Sequence, residues 1–161
     1  MSLDEGLRAR LEFLSRVVRK EVRYLSETDS RLFGQVLTPG ILQQITQDPL
    51  LAERLEAFVS RFGRLQDTIA DKLLPALLEA LAERKGAVIE NLDRAERFGW
   101  LDSSDIWLDM RKLRNQMVHE YIEDLTVLAN ALNTGHQFVP ALVQTAERMI
   151  SRVEQRVSES R

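Results

Sequence analysis

The 161-residue chain contains no cysteine, which excludes disulfides, thiolate metal sites, iron–sulfur clusters and cysteine nucleophiles together. With only 7 glycines and 4 prolines, it has neither a collagen-like nor a linker-dominated composition. No apolar run approaches the 18 or so residues that a membrane span needs, and the opening MSLDEGLRAR does not read as a signal peptide, so a cytoplasmic location and no membrane partner are expected. Nor is there an excess of positive charge. At a net charge of −3, whole-molecule attraction to nucleic acid is not expected, and contact with RNA would have to be local. Glycine-rich phosphate loops, HExxH, GxSxG and EF-hand patterns are missing too, which removes support for ATPase, zinc hydrolase, serine hydrolase and calcium-sensor functions.

What is present is helical periodicity. Leu3, Leu7, Leu11, Leu14, Val18, Val22 and Leu25 step by three and four, predicting a helix over about residues 3–26, with Ser2 and Glu5 spaced as a capping box. Residues 27–48 are broken by Gly34 and by Thr38-Pro39-Gly40, leaving room for two short helical pieces with Leu32, Phe33, Ile41, Leu42 and Ile45 inward. Asp48-Pro49 starts a long helix reaching about residue 83, and Pro75 predicts a kink near residue 71. A shorter helix follows, carrying Ile89, Leu92 and Ala95 and stopped by Gly99. The next holds Ile106, Met110, Leu113 and Met117 inward. It, or a helix close behind it, runs on until Gly135 stops it, with His136 in a loop, and Pro140 opens the last helix. No segment alternates with period two. One all-α domain over residues 1–161 is expected, an antiparallel bundle of four to six helices with no sheet.

One segment, WLDMRKLRNQMVHEYIED over residues 107–124, holds more than core and solvated surface. At about 100° per residue from Ile106, Arg114 and Tyr121 share a column at the edge of the core, while Arg111, Asn115 and His119 form a second column beyond it. Arg, Asn and His here are the parts of a metal-independent phosphodiester chemistry. Imidazole can move a proton near neutrality, guanidinium can stabilise charge on phosphate oxygens, and an amide can position a ring or phosphate. Cleavage through a 2′-hydroxyl needs both a base and an acid, and one chain offers one well-placed histidine. A two-fold dimer apposing this helix with its copy would supply two His119 and two Arg114.

Arg114-Asn115-Gln116-Met117-Val118-His119-Glu120-Tyr121 resembles the R-x4-H-x-Y motif of the HEPN superfamily in its HepT-like branch. The likeness extends to chain length, the all-helical plan and the motif's place in a late helix. The stretch SRFGRLQD, residues 60–67, is similar to that branch's second long helix. The resemblance implies a homodimeric ribonuclease toxin with Arg114, Asn115 and His119 as catalytic residues and the motif at the dimer cleft. It also implies a minimal nucleotidyltransferase antitoxin as partner, which transfers AMP to Tyr121. No cofactor and no metal are expected.

Several residues admit a plainer role. Tyr121 also reads as a buried-edge tyrosine with a wet hydroxyl. Arg111 and Lys112 are either a basic rim for RNA or a solvated face. Arg64 or Asp67 could support the cleft, though an i,i+3 ion pair between them explains both. His119 and Glu123 have a metal-pair spacing but lack a third ligand. Trp100 and Trp107 read as packing or dimer contacts. The alternative to a nuclease is a non-catalytic substrate-binding partner subunit of a nucleotidyltransferase, or, more plainly, a helical adaptor whose motif is a relic.

Overall fold

The computed structural model describes residues 2–119 and 123–160, with the side chain of His119 excepted. Among the described residues the chain is all helix and turn, with no strand. The elements are α1 (Glu5–Leu32), α2 (Pro39–Leu42) with a 3₁₀ turn behind it, α3 (Pro49–Thr68), a π-helical segment (Ile69–Leu73), α4 (Leu74–Ala80), α5 (Val88–Arg97), α6 (Ser104–His119) and α7 (Leu125–Glu159). Four long bodies make the bundle: α1, the continuous α3–π–α4 run, α6 and α7. Their pairing is antiparallel. Glu21 and Arg61 reach between α1 and α3, Arg19 and His136 between α1 and α7, and Arg148 of α7 binds Asp102 just ahead of α6.

The first helix is longer than its apolar stripe predicts. Past Leu25 the buried face continues through Thr28 to Leu32, and Thr28 is polar because its hydroxyl receives Arg61. Asp4, rather than a Ser2–Glu5 box, caps it by accepting from the Leu7 amide at 3.0 Å. Thr38 and Asp48 cap α2 and α3 in the same way, each followed by proline at the first helical position. Where Pro75 predicts a kink near residue 71, the structure has the π segment. Pro75 cannot donate to the Asp71 carbonyl, and the Leu74 N–H bonds back to Ile69, five residues earlier.

The clearest departure lies at the C-terminal end. Gly135 does not stop a helix and Pro140 does not open one, because α7 runs through both. The break falls earlier, between α6 and α7, where Asp124 caps α7 by accepting from the Thr126 and Val127 amides. His136 is therefore a helix residue, stacked on Phe33 at 4.3 Å with Nδ1 2.7 Å from Asp29 Oδ1. Asn133, one turn away, holds the Leu37 amide and carbonyl and fastens the loop after α1.

Two residues expected inside lie outside. Ile89 is 57% exposed and Ile106 39%, while Leu92, Ala95, Met110 and Met117 are buried. Trp107 is fully buried and Trp100 nearly so, as packing residues. No helix among the described residues is long and apolar enough to cross a membrane.

Candidate functional site

The buried apolar residues of α6 are Trp107, Met110 and Met117, not a stripe centred on Ile106. The inward face is thus turned by roughly 50° toward Trp107, which carries Arg114 from the edge of the core into the crossing with α3. There α3 has its single glycine. A Cβ on Gly63 would lie 2.6 Å from Arg114 Nε, closer than real Cβ contacts come, and 3.0 Å from its Cδ. A helix-interior glycine costs about 1 kcal/mol against alanine. Its presence here lets the arginine stem cross the backbone of α3.

One turn beyond Gly63, Asp67 Oδ1 receives Arg114 Nη1 at 2.6 Å, with side-chain exposures of 38% and 31%. This charge-assisted bond replaces the expected Arg64–Asp67 pair. Arg64 turns instead to the Ser60 hydroxyl at 3.3 Å. The stretch over residues 60–67 is accordingly the seat of Arg114: glycine gives passage and aspartate fixes the guanidinium. Asp67 engages one of its five N–H donors, and the fork retains capacity for a phosphate.

The other residues singled out in the sequence divide as follows. Asn115 is exposed on the adjoining face of α6, Arg111 is half-buried and Lys112 exposed. The structure brings none of these three into the Gly63–Asp67 seat. The backbone of His119 closes α6; its side chain, and all of Tyr121, lie outside the described residues. Among the described residues no group of three or more His, Asp or Glu side chains could hold a metal ion.

Sequence reasoning passed over Glu21. From α1 its carboxylate oxygens accept at 2.8 and 3.1 Å from Thr68 Oγ1, on the residue next to Asp67. Burial raises the Glu21 pKa above the ordinary carboxylate value. The Thr68 hydrogen bond and the charges of Arg64 and Lys72 oppose this rise, and Asp67 adds to it. The signal was legible: Glu21 stands three residues after Val18 and four before Leu25, a carboxylate on the margin of the apolar stripe. The site therefore joins three helices, with Glu21 from α1, Gly63, Arg64 and Asp67 from α3, and Arg114 from α6.

Comparison of the chain with protein-family models, curated proteins and solved structures gave no match. The all-α bundle and the anchored arginine are what the chain's own geometry establishes.

Proposed function

We propose that the chain is a metal-independent RNA endonuclease, a HepT-like toxin acting as a homodimer. The observation that supports this most is the seat of Arg114: a glycine and an aspartate on α3 fix a guanidinium at the rim of the bundle, five residues ahead of His119 on the same helix. In the proposed reaction one imidazole takes the proton of a ribose 2′-hydroxyl. The 2′-oxygen forms its bond to phosphorus, the bond to the 5′-oxygen breaks, and a protonated imidazole gives its proton to that leaving oxygen. The product is a 2′,3′-cyclic phosphate. Arg114 stabilises the charge gathered on the non-bridging oxygens, Asn115 positions the phosphate, and the second His119 comes from the partner copy. Arg111, Lys112 and Arg64 would hold flanking phosphates.

A nucleotidyltransferase antitoxin is the proposed partner. AMP placed on Tyr121, seven residues from Arg114, would set a phosphate against the guanidinium and fill the place of the RNA phosphate. Purified protein is expected to cut RNA in EDTA and to lose this with His119→Ala while the fold is kept. Equal cutting by the variant ends the proposal. Arg114→Ala should cost about 10²–10³ in rate, the loss typical of one donor at a developing oxyanion.

The 2.6 Å contact with Asp67 favours a second reading. An arginine already neutralised suits a non-catalytic subunit that presents Tyr121, or a nucleotide, to the transferase. Co-purification with that enzyme, and no cleavage under any condition, would select it.

A further inference from the structure

The seam between α1 and α3 leads away from the Arg114–Asp67 pair and carries arginines along its length. Arg64 comes first, on the outward side of α3. One turn further, Arg61 Nη1 donates to the Tyr24 carbonyl at 3.2 Å and to the Thr28 hydroxyl, and its guanidinium stands 5.5 Å from the centroid of the Tyr24 ring. Arg54, two turns further, and Arg31 across from it on α1 line one open depression of about 330 Å³ together with Thr28, Leu50 and Arg61. A second depression of the same size adjoins it and shares Arg31, Arg54 and Leu50.

Neither Arg31 nor Arg54 has a hydrogen bond or ion pair among the described residues, although the chain holds 25 acidic side chains. The carboxylates that line them are Glu53 in the first depression and Asp48 in the second, and Asp48 is engaged by the Leu51 amide. Tyr24 is 46% exposed. From Arg54 to Arg64 the cations follow α3 for ten residues, about 15 Å. A row of cations, with Arg31 and Arg54 unpartnered among the described residues and an exposed aromatic ring beside them, suits a flexible chain with one charge per unit and a flat base on each unit. An acidic protein surface would make no use of the ring.

We propose that this seam binds single-stranded RNA, with phosphates on Arg31, Arg54 and Arg61 and a base on Tyr24, and delivers the strand to Arg114. The inference rests on the ribonuclease reading, which it extends to the path of the substrate. Binding is measured by anisotropy of an end-labelled 20-nucleotide single-stranded RNA on the His119→Ala protein, which keeps the probe intact, over a series of salt concentrations.

Arg31→Gln with Arg54→Gln should weaken binding at least tenfold. It should also lower the slope of log affinity against log salt by about 1.4, the contribution of two single-strand phosphates. Arg84→Gln with Lys85→Gln, which removes the same charge in the loop before α5, should leave the affinity within twofold. Wild-type affinity and slope in the seam variant overturn the proposal, as does equal or tighter binding of a 20-base-pair RNA duplex, or no binding of the single strand at all. Cleavage unchanged by the seam variant in the His119-containing protein also overturns the seam while sparing the nuclease. Seam-dependent binding without cleavage by the unmodified chain does the reverse.

Discussion

Two helix-interior glycines receive α6, and they do so for different ends. Gly63 of α3 gives way to Arg114, and Gly135 of α7 gives way to Met117, whose Cε would lie 2.5 Å from an added Cβ. The two side chains are three residues apart on α6, so nearby positions of one helix are set into two different neighbours, α3 and α7. At Gly135 the contact is wholly apolar: Met117 is fully buried and Phe58 and Phe62 stand 3.7 Å from the same point. At Gly63 the incoming side chain is charged, a third exposed, and ends on a carboxylate. An apolar seat is explained by packing density alone. A seat for an arginine a third exposed contributes little to stability, since ion pairs of this exposure are worth about 0–1 kcal/mol. Its evident product is the placement of a charge.

The sharpest way to break this comparison is Gly63→Ala. The new methyl group meets the middle of the arginine stem, at Nε, Cδ and Cγ, so the whole side chain must leave the crossing. The proposed RNA cleavage should fall about 10²-fold, the order expected for losing one preorganised donor. Thermal stability should move by only a few degrees, because better helix propensity, about 1 kcal/mol, offsets the lost pair. A large loss of stability with cleavage preserved would assign Gly63 to packing, like Gly135.

Gly135→Ala tests the other side. Overpacking a filled core costs about 1–3 kcal/mol, against which alanine returns about 1 kcal/mol of helix propensity. A net loss of about 1 kcal/mol in chemical denaturation is expected. Met117→Leu, shorter in reach and similar in volume, should recover part of it in the double variant, whereas the same leucine on the Gly135 background should not stabilise. Independent, additive effects would show that the two residues are not coupled.

Both glycines were visible in the sequence, but only Gly135 was read for a role, and α7 overturns that reading. Gly135 read as a helix stop because glycine past an apolar period usually is one. Only the close approach of α6 makes it an interior residue, and proximity between distant segments is not written in local propensity. The first long helix, the start of α3 at Asp48-Pro49 and the disturbance before Pro75 were readable because they follow from spacing and backbone chemistry within a few residues. Arg114 was legible as a candidate from its neighbours on α6. Its partner was not, because Asp67 has an apparent mate three residues away in Arg64, and the choice between the two arginines depends on how α3 and α6 cross. Thr28 hid the last turns of α1 for a related reason: its polarity belongs to Arg61 on another helix.

A third position reverses the question, since glycine is absent where the backbone favours it. Ala82 ends the α4 run at φ 56°, while the Glu83 N–H returns to the Leu78 carbonyl at 2.9 Å, the pattern of a left-handed helix cap. The left-handed region costs an L-residue about 1–2 kcal/mol. Ala82→Gly should therefore raise stability by about 0.5–1 kcal/mol, after allowing for the greater freedom of glycine in the unfolded chain, and leave the proposed RNA cleavage untouched. A loss of stability would mean that the turn draws on contacts of the Ala82 methyl group.

The smallest effect is expected from Glu21, on the far side of the polar seat, and it carries information in its sign. A carboxyl whose pKa is raised by folding weakens the native state wherever it is ionised, and the penalty fades as the pH falls through the folded value toward the unfolded one. Glutamine keeps an oxygen for the Thr68 hydroxyl and carries no charge to desolvate. Glu21→Gln should thus raise the melting temperature by about 1–2 °C at pH 7, with the gain shrinking through the acid range and vanishing below the ordinary carboxylate pKa of about 4.3. A gain independent of pH would assign the effect to packing. A loss at neutral pH would mean that Arg64 and Lys72 outweigh burial, so that Glu21 serves as their counter-charge and the seam beside Arg114 is less positive than its arginines suggest.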